Sequence, residues 1–106
     1  MMPYIKTVVK VRPSTTITWQ PTYTTEELAV VNAVKTARRA AAGYVAEVAV
    51  QSPDRLTMTW ECTWETKAHY DAFVAAQSAN IDAILAIRGV HETAHGIVVT
   101  RSFENT

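Results

Sequence analysis

The sequence predicts an α+β domain of order β-α-β-β-α-β, an antiparallel sheet with both helices on one face. Three observations carry that expectation. Residues 55–64, RLTMTWECTW, alternate without a fault: Leu56, Met58, Trp60, Cys62 and Trp64 point one way, and Thr57, Thr59, Glu61 and Thr63 the other. That is the period of a half-buried strand. Thr24 followed by Glu27 forms a capping box that opens a helix running to about Ala42 and closing at Gly43. Finally, 106 residues at 48% hydrophobic content suit one compact domain with a small core. A chain this short hides only roughly two-thirds of its unfolded surface, so a second layer or subunit would help it.

The elements follow in order. Residues 4–12 alternate as a strand, with Ile5, Val9 and Val11 on one side and Lys6, Val8, Lys10 and Arg12 on the other, until Pro13 stops it. Ser14 to Pro21 is Thr-rich and reads as a loop or short extra strand that tucks in the Trp19 indole. In the first helix Tyr23 can staple onto Leu28, and Val30, Val34, Ala37 and Ala41 form the inward stripe. Residues 44–51 make the second strand, with Tyr44, Ala46, Val48 and Val50 expected toward the helices. Ser52-Pro53-Asp54 turns it into the third strand, pairing even residues with even ones, such as Val48 with Met58 or Trp60, through an odd-length loop or a bulge. From Thr66 a second helix carries Tyr70, Phe73, Ile81, Ile84 and Leu85 at helical spacing and closes near Arg88-Gly89. A last strand covers about Thr93 to Glu104, with Ile97, Val99 and Phe103 toward the helices.

This order is the ferredoxin-like arrangement. Its uncovered sheet face is then expected to be polar, holding Lys6, Lys10, Arg12, Glu47, Thr57, Thr59, Glu61, Thr63, Thr100 and Glu104, with strand-one cations beside Glu61. Net charge is zero but unevenly spread: residues 1–43 carry six cations against two carboxylates, and the remainder four against eight. A globally basic nucleic-acid binder is disfavoured, and pairing between copies is favoured. The expected aromatic residues also lie on the helix side, away from any base-stacking surface. With no run of about 18 apolar residues and no charged-then-apolar leader, a soluble, cytoplasmic chain is expected. The single Cys62 fits a reducing compartment.

The segment Tyr44 through Phe73, with its Ser52-Pro53-Asp54 turn, Trp64-Glu65-Thr66 and Lys67-Ala68-His69-Tyr70, resembles the small dimeric α+β barrel proteins, whose best-known branch is the antibiotic-biosynthesis monooxygenase-like family. Ile87-Arg88-Gly89-Val90 through Thr93 and on to Ile97-Val98-Val99 is similar to the entry into the final strand in ligand-sensing domains of the same superfamily. The resemblance covers about two-thirds of the chain. It implies a homodimer formed by stacking the uncovered sheet faces. The aromatic residues themselves suggest a small-molecule site between sheet and helices. Two positions depart from the monooxygenase branch, which often has Glu where Cys62 stands and His where Phe73 stands.

The candidate ligand-binding residues are Tyr44, Trp60, Trp64, His69 and Tyr70, apolar walls with a few polar tips that suit a flat or aromatic molecule. The same aromatic residues also suit a filled core, and His69 suits an ordinary helix start. Activity therefore stays open between a cofactor-free oxygenase, a carrier or sensor, and a module whose dimerisation is its role. His91-Glu92-Thr93-Ala94-His95 matches HExxH, a zinc pattern that needs a helix. Read as loop and strand it would spread the histidines about 13 Å apart at ~3.3 Å per residue, so neither metal nor cofactor is expected. Cys62 is expected to be inert packing far from any cation, and Arg38-Arg39 to complement the helix dipole.

Overall fold

Each predicted element forms, and the computed structural model, which describes residues 3–105, sets the bounds. They are β1 (Tyr4–Val11), α1 (Thr25–Ala40), β2 (Tyr44–Gln51), β3 (Thr57–Trp64), α2 (Lys67–His95) and β4 (Val98–Asn105). The strands make one sheet in the order β2-β3-β1-β4, all neighbours antiparallel. α1 begins as its sequence dictates: the Thr24 amide donates to Glu27 Oε1 at 2.8 Å and the Glu27 amide to Thr24 Oγ1 at 3.1 Å. Val31 and Val34 of α1 and Phe73 and Ile84 of α2 close over Tyr4, Cys62 and Trp64 of the sheet.

Strand phase departs from expectation twice. The register sets Tyr4, Lys6, Val8 and Lys10 opposite Trp64, Cys62, Trp60 and Met58, so the even residues of β1 face the helices. Ile5, Val9 and Val11 face the uncovered side instead. The alternation pointed the other way, because the covered set includes Lys6 and Lys10; pairing with β3 fixes the phase, and Lys10 is accommodated inside by Glu92. In β2 a bulge between Tyr44 and Ala46 inserts one residue and reverses everything after it. Tyr44 stays on the helix side, but Glu47, Ala49 and Gln51 follow it there, and Val48 sits opposite Glu61 rather than Met58 or Trp60. The uncovered face is therefore mainly aliphatic and threonine-rich, with Val11, Val48, Val50 and Val98 all exposed. Its charges are Glu61 and Glu104, while Lys6, Lys10 and Glu47 point inward.

The second correction of consequence is the length of α2. It spans 29 residues and ends at His95, where Gly96 caps it at φ 69°. Gly89, expected as the stop, lies inside the helix, and residues 93–95 are helical rather than strand. Helical spacing continues past it: Ile84 and Glu92 are both buried, and Glu92 pairs with Lys10 of β1 at 2.7 Å. A Cβ on Gly89 would meet nothing within 4 Å. Gly89→Ala should accordingly stabilise the protein by about 0.5–1 kcal/mol in denaturant melts, since alanine orders more cheaply in a helix interior. A loss of stability would restore the glycine stop.

Arg12, just beyond β1, anchors the 13–22 segment. Its guanidinium donates to the Arg55 and Ile17 carbonyls at 2.9 and 2.7 Å and stacks over the Trp19 ring at 4.2 Å. Trp19 in turn donates its indole N–H to Gln51 Oε1 at 3.1 Å. The Thr-rich segment is thus a loop clamped onto the β2–β3 hairpin.

Candidate functional site

The aromatic side chains expected at the site divide into three settings. Trp64 ends β3 at the centre of the core, 1% exposed, with Phe73, Tyr44 and Tyr70 rings at 5.2, 5.9 and 6.0 Å. It and Cys62 are the largest fully buried side chains. Trp60 is partly buried and donates its indole N–H to Glu47 Oε2 at 3.0 Å, beneath the Arg38 guanidinium. His69 stands elsewhere, in a cleft of about 260 Å³ between the helices lined by Ala37, Ala41, Ala72, Phe73 and Ala76. There Thr66 Oγ1 accepts the His69 amide and lies 2.8 Å from Nδ1. The ring packs so closely on Gly43 that a Cβ there would fall 2.2 Å from it. The structure thus joins Tyr44, Trp64 and Tyr70, links Trp60 to them through Glu47, and leaves His69 outside.

Glu47 is the hub that β2's bulge turns inward. It accepts from Arg38 at 2.9 Å, Arg39 at 2.6 Å, Tyr44 at 3.3 Å and Trp60. Burial pushes its carboxyl up, but the Arg39 hydrogen bond, the Arg38 charge and the Trp60 indole outweigh it and hold the group below the usual carboxylate range. Arg38 and Arg39 therefore bind a carboxylate rather than serving the helix dipole alone. Cys62 is fully buried, and desolvation pushes its thiol up to about 11 against the opposing pull of Arg38. Its burial fits expectation, although the Arg38 and Lys6 cations do lie near it.

The group that sequence reasoning missed is Lys6. It faces the helices between its cross-strand neighbours Cys62 and Phe103. Its ammonium stands 5.8 Å from the Tyr70 ring centroid and 6.0 Å from that of Phe103. Tyr4, Tyr70 and Phe103 form a three-ring wall beside it, with centroids 5.3–5.7 Å apart. Lys10, two residues pairs along the same strand face, has Glu92; Lys6 has no carboxylate within 4 Å among the described residues. Burial lowers its pKa, and Arg101, Arg38 and Arg88 add repulsion. The ammonium is thus half-buried among cations and aromatic rings, an arrangement that disfavours its charged form unless an anion joins it. The only sequence signal for it was Tyr4, an aromatic residue two positions earlier on the same side.

No protein-family profile matches the sequence, and no curated protein matches it significantly. Solved structures do. SnoaB, a cofactor-independent oxygenase from Streptomyces nogalater, superposes with TM-score 0.60 at 9% identity over 100% of this chain and 94% of its own. The monooxygenase from the gene ActVA-Orf6 of Streptomyces coelicolor, solved with Nanaomycin D, gives 0.61 at 14% over 99% and 88%. A dimeric ferredoxin-like protein from an uncultured marine organism gives 0.57 at 8% over 100% and 96%. The fold is ferredoxin-like. It is the fold seen in dimeric α+β barrel proteins and in monooxygenases, and at these identities the likeness concerns the fold. No described helix is long and apolar enough to cross a membrane.

Proposed function

We propose that the protein is a homodimeric α+β barrel that binds a small planar aromatic anion between sheet and helices, with Lys6 facing the negative oxygen. The observation that carries the reading is the Lys6 ammonium between the Tyr70 and Phe103 rings, with no carboxylate in contact among the described residues. Of the five residues expected from sequence, Tyr70 and Trp60 are assigned to the ligand's walls, Trp64 to the floor beneath them and Tyr44 to the support of Glu47. His69 stays in the interhelical cleft. The shared fold with SnoaB and with the ActVA-Orf6 protein supports an oxygenase reading. Cofactor-free use of O₂ requires a substrate that is itself the electron donor, which an ionised hydroxyarene is. A nearby cation favours that ionised form.

The test is titration of a hydroxynaphthoquinone and its methyl ether, followed by tryptophan emission. The free hydroxyl compound should bind the parent, and both Lys6→Met and methylation should weaken binding about tenfold or more, the worth of one charge-assisted hydrogen bond. Equal affinity in Lys6→Met would overturn the site. Lys6→Met should also raise the melting temperature, because it removes a charge that folding desolvates without pairing. Oxygen uptake with electron-rich hydroxyarenes separates an oxygenase from a carrier.

The homodimer is assigned to the uncovered sheet face. Ile5, Val9 and Val11 of β1 run along its centre, flanked by Val48, Val50 and Val98. A contiguous exposed aliphatic face on so small a domain marks an interaction surface. Sedimentation velocity at micromolar concentration should give twice the 11.7 kDa of one chain. A monomer alone would refute the assignment.

A further inference from the structure

The HExxH segment acquires a new reading once α2 is seen to run through it. His91 and His95 lie one turn apart at the end of the helix, with ring centroids 4.6 Å apart and planes at 55°. Two imidazoles in neighbouring positions on one metal, each bonded at ~2.0–2.1 Å, hold their centroids about 4.5–5 Å apart. His91 Nε2 is 2.8 Å from the Thr18 carbonyl oxygen. A carbonyl only accepts, so the proton sits on Nε2 and the Nδ1 lone pair is left free. Such an outer hydrogen bond to a carbonyl is what orients a metal-ligating histidine. The pair opens onto a cleft of about 480 Å³ lined also by Pro21, Thr22, Glu27 and Ile87, which leaves room for water and brings a carboxylate to the rim.

Glu92, by contrast, is turned into the sheet and bound to Lys10. It has no access to a water on the histidine side, so the motif lacks the general base of a zinc hydrolase. No third His, Cys, Asp or Glu completes a three-ligand group among the described residues. Two nitrogens with solvent in the remaining positions favour copper(II) over zinc(II) in the usual order of divalent affinities. We propose that His91 and His95 form an exposed two-nitrogen site for a late first-row divalent cation, copper(II) above zinc(II), separate from the sheet–helix gap.

Calorimetric titration of the full chain with copper(II) and zinc(II) chloride in a non-coordinating buffer tests this. One copper(II) should bind per chain, at least tenfold tighter than zinc(II), with two-nitrogen coupling in its paramagnetic resonance spectrum. His91→Ala and His95→Ala should each weaken binding at least tenfold, and the double variant should abolish it. Both rings reach solvent, so the variants should keep the parent's circular dichroism, and His91→Gln provides a second, polar replacement. Absence of saturable copper binding, or binding unchanged in the double variant, would overturn the proposal.

Discussion

Trp64→Ala is expected to cost about 3–5 kcal/mol, the range for emptying a fully buried aromatic site, and so to unfold a domain of ordinary marginal stability. The indole is 1% exposed and meets Tyr44, Tyr70 and Phe73. None of these rings can move in to fill the space, because each is fixed by its own strand or helix. Trp60→Ala should cost distinctly less, since Trp60 is only partly buried and packs against the outside of the core cluster. Denaturant melts of the two variants check both claims. Equal losses would mean that Trp60 is as tightly packed as Trp64 and would remove it from the proposed ligand walls.

Glu47→Ala is the second large effect, expected at about 2–3 kcal/mol, because it strands the Arg38 guanidinium and the Trp60 N–H without their acceptor. Arg38 retains some solvent access, which keeps the cost below that of a wholly buried charge. The pH dependence has a definite sign. The folded state holds the Glu47 carboxyl below its ordinary range, so its contribution is present in full above the unfolded value and is lost as pH falls through the folded one. The difference in stability between the parent and Glu47→Gln should therefore be constant near neutrality and shrink on acidification below about pH 4. A difference that grows on acidification would contradict the arrangement.

Element order, the α1 cap and the helix-facing side of β3 were legible because each rests on local chemistry: the reciprocal bonds of Thr24 and Glu27, and an alternation with only one apolar side. The phase of β1 was not. Lys6 and Lys10 share a side with Tyr4 and Val8, so hydropathy favoured burying Ile5, Val9 and Val11, and only pairing with β3 shows that the lysine-bearing side is covered. The Val45 bulge carried no signal either, yet it moves Glu47 from the surface to the centre of the polar network. The end of α2 was misplaced because a glycine was read as a stop, although a helix with enough packing on both sides tolerates one in its interior. Each of these errors bears on the site. Lys6 and Glu47, assigned from sequence to a polar dimer face, are the residues that the structure places between sheet and helices. The helix-side placement of Trp64 and Tyr70 was legible because it followed from the phase of β3 and the start of α2.

The proposed site depends on the charge state and surroundings of Lys6, and titration of its side chain by NMR, with ¹³C-labelled lysine, addresses them directly. In the free protein the ammonium should titrate below the ordinary lysine range, and binding of the hydroxynaphthoquinone should move it upward as the anion replaces the missing counter-charge. An ordinary lysine pKa that does not move when the probe binds would contradict it.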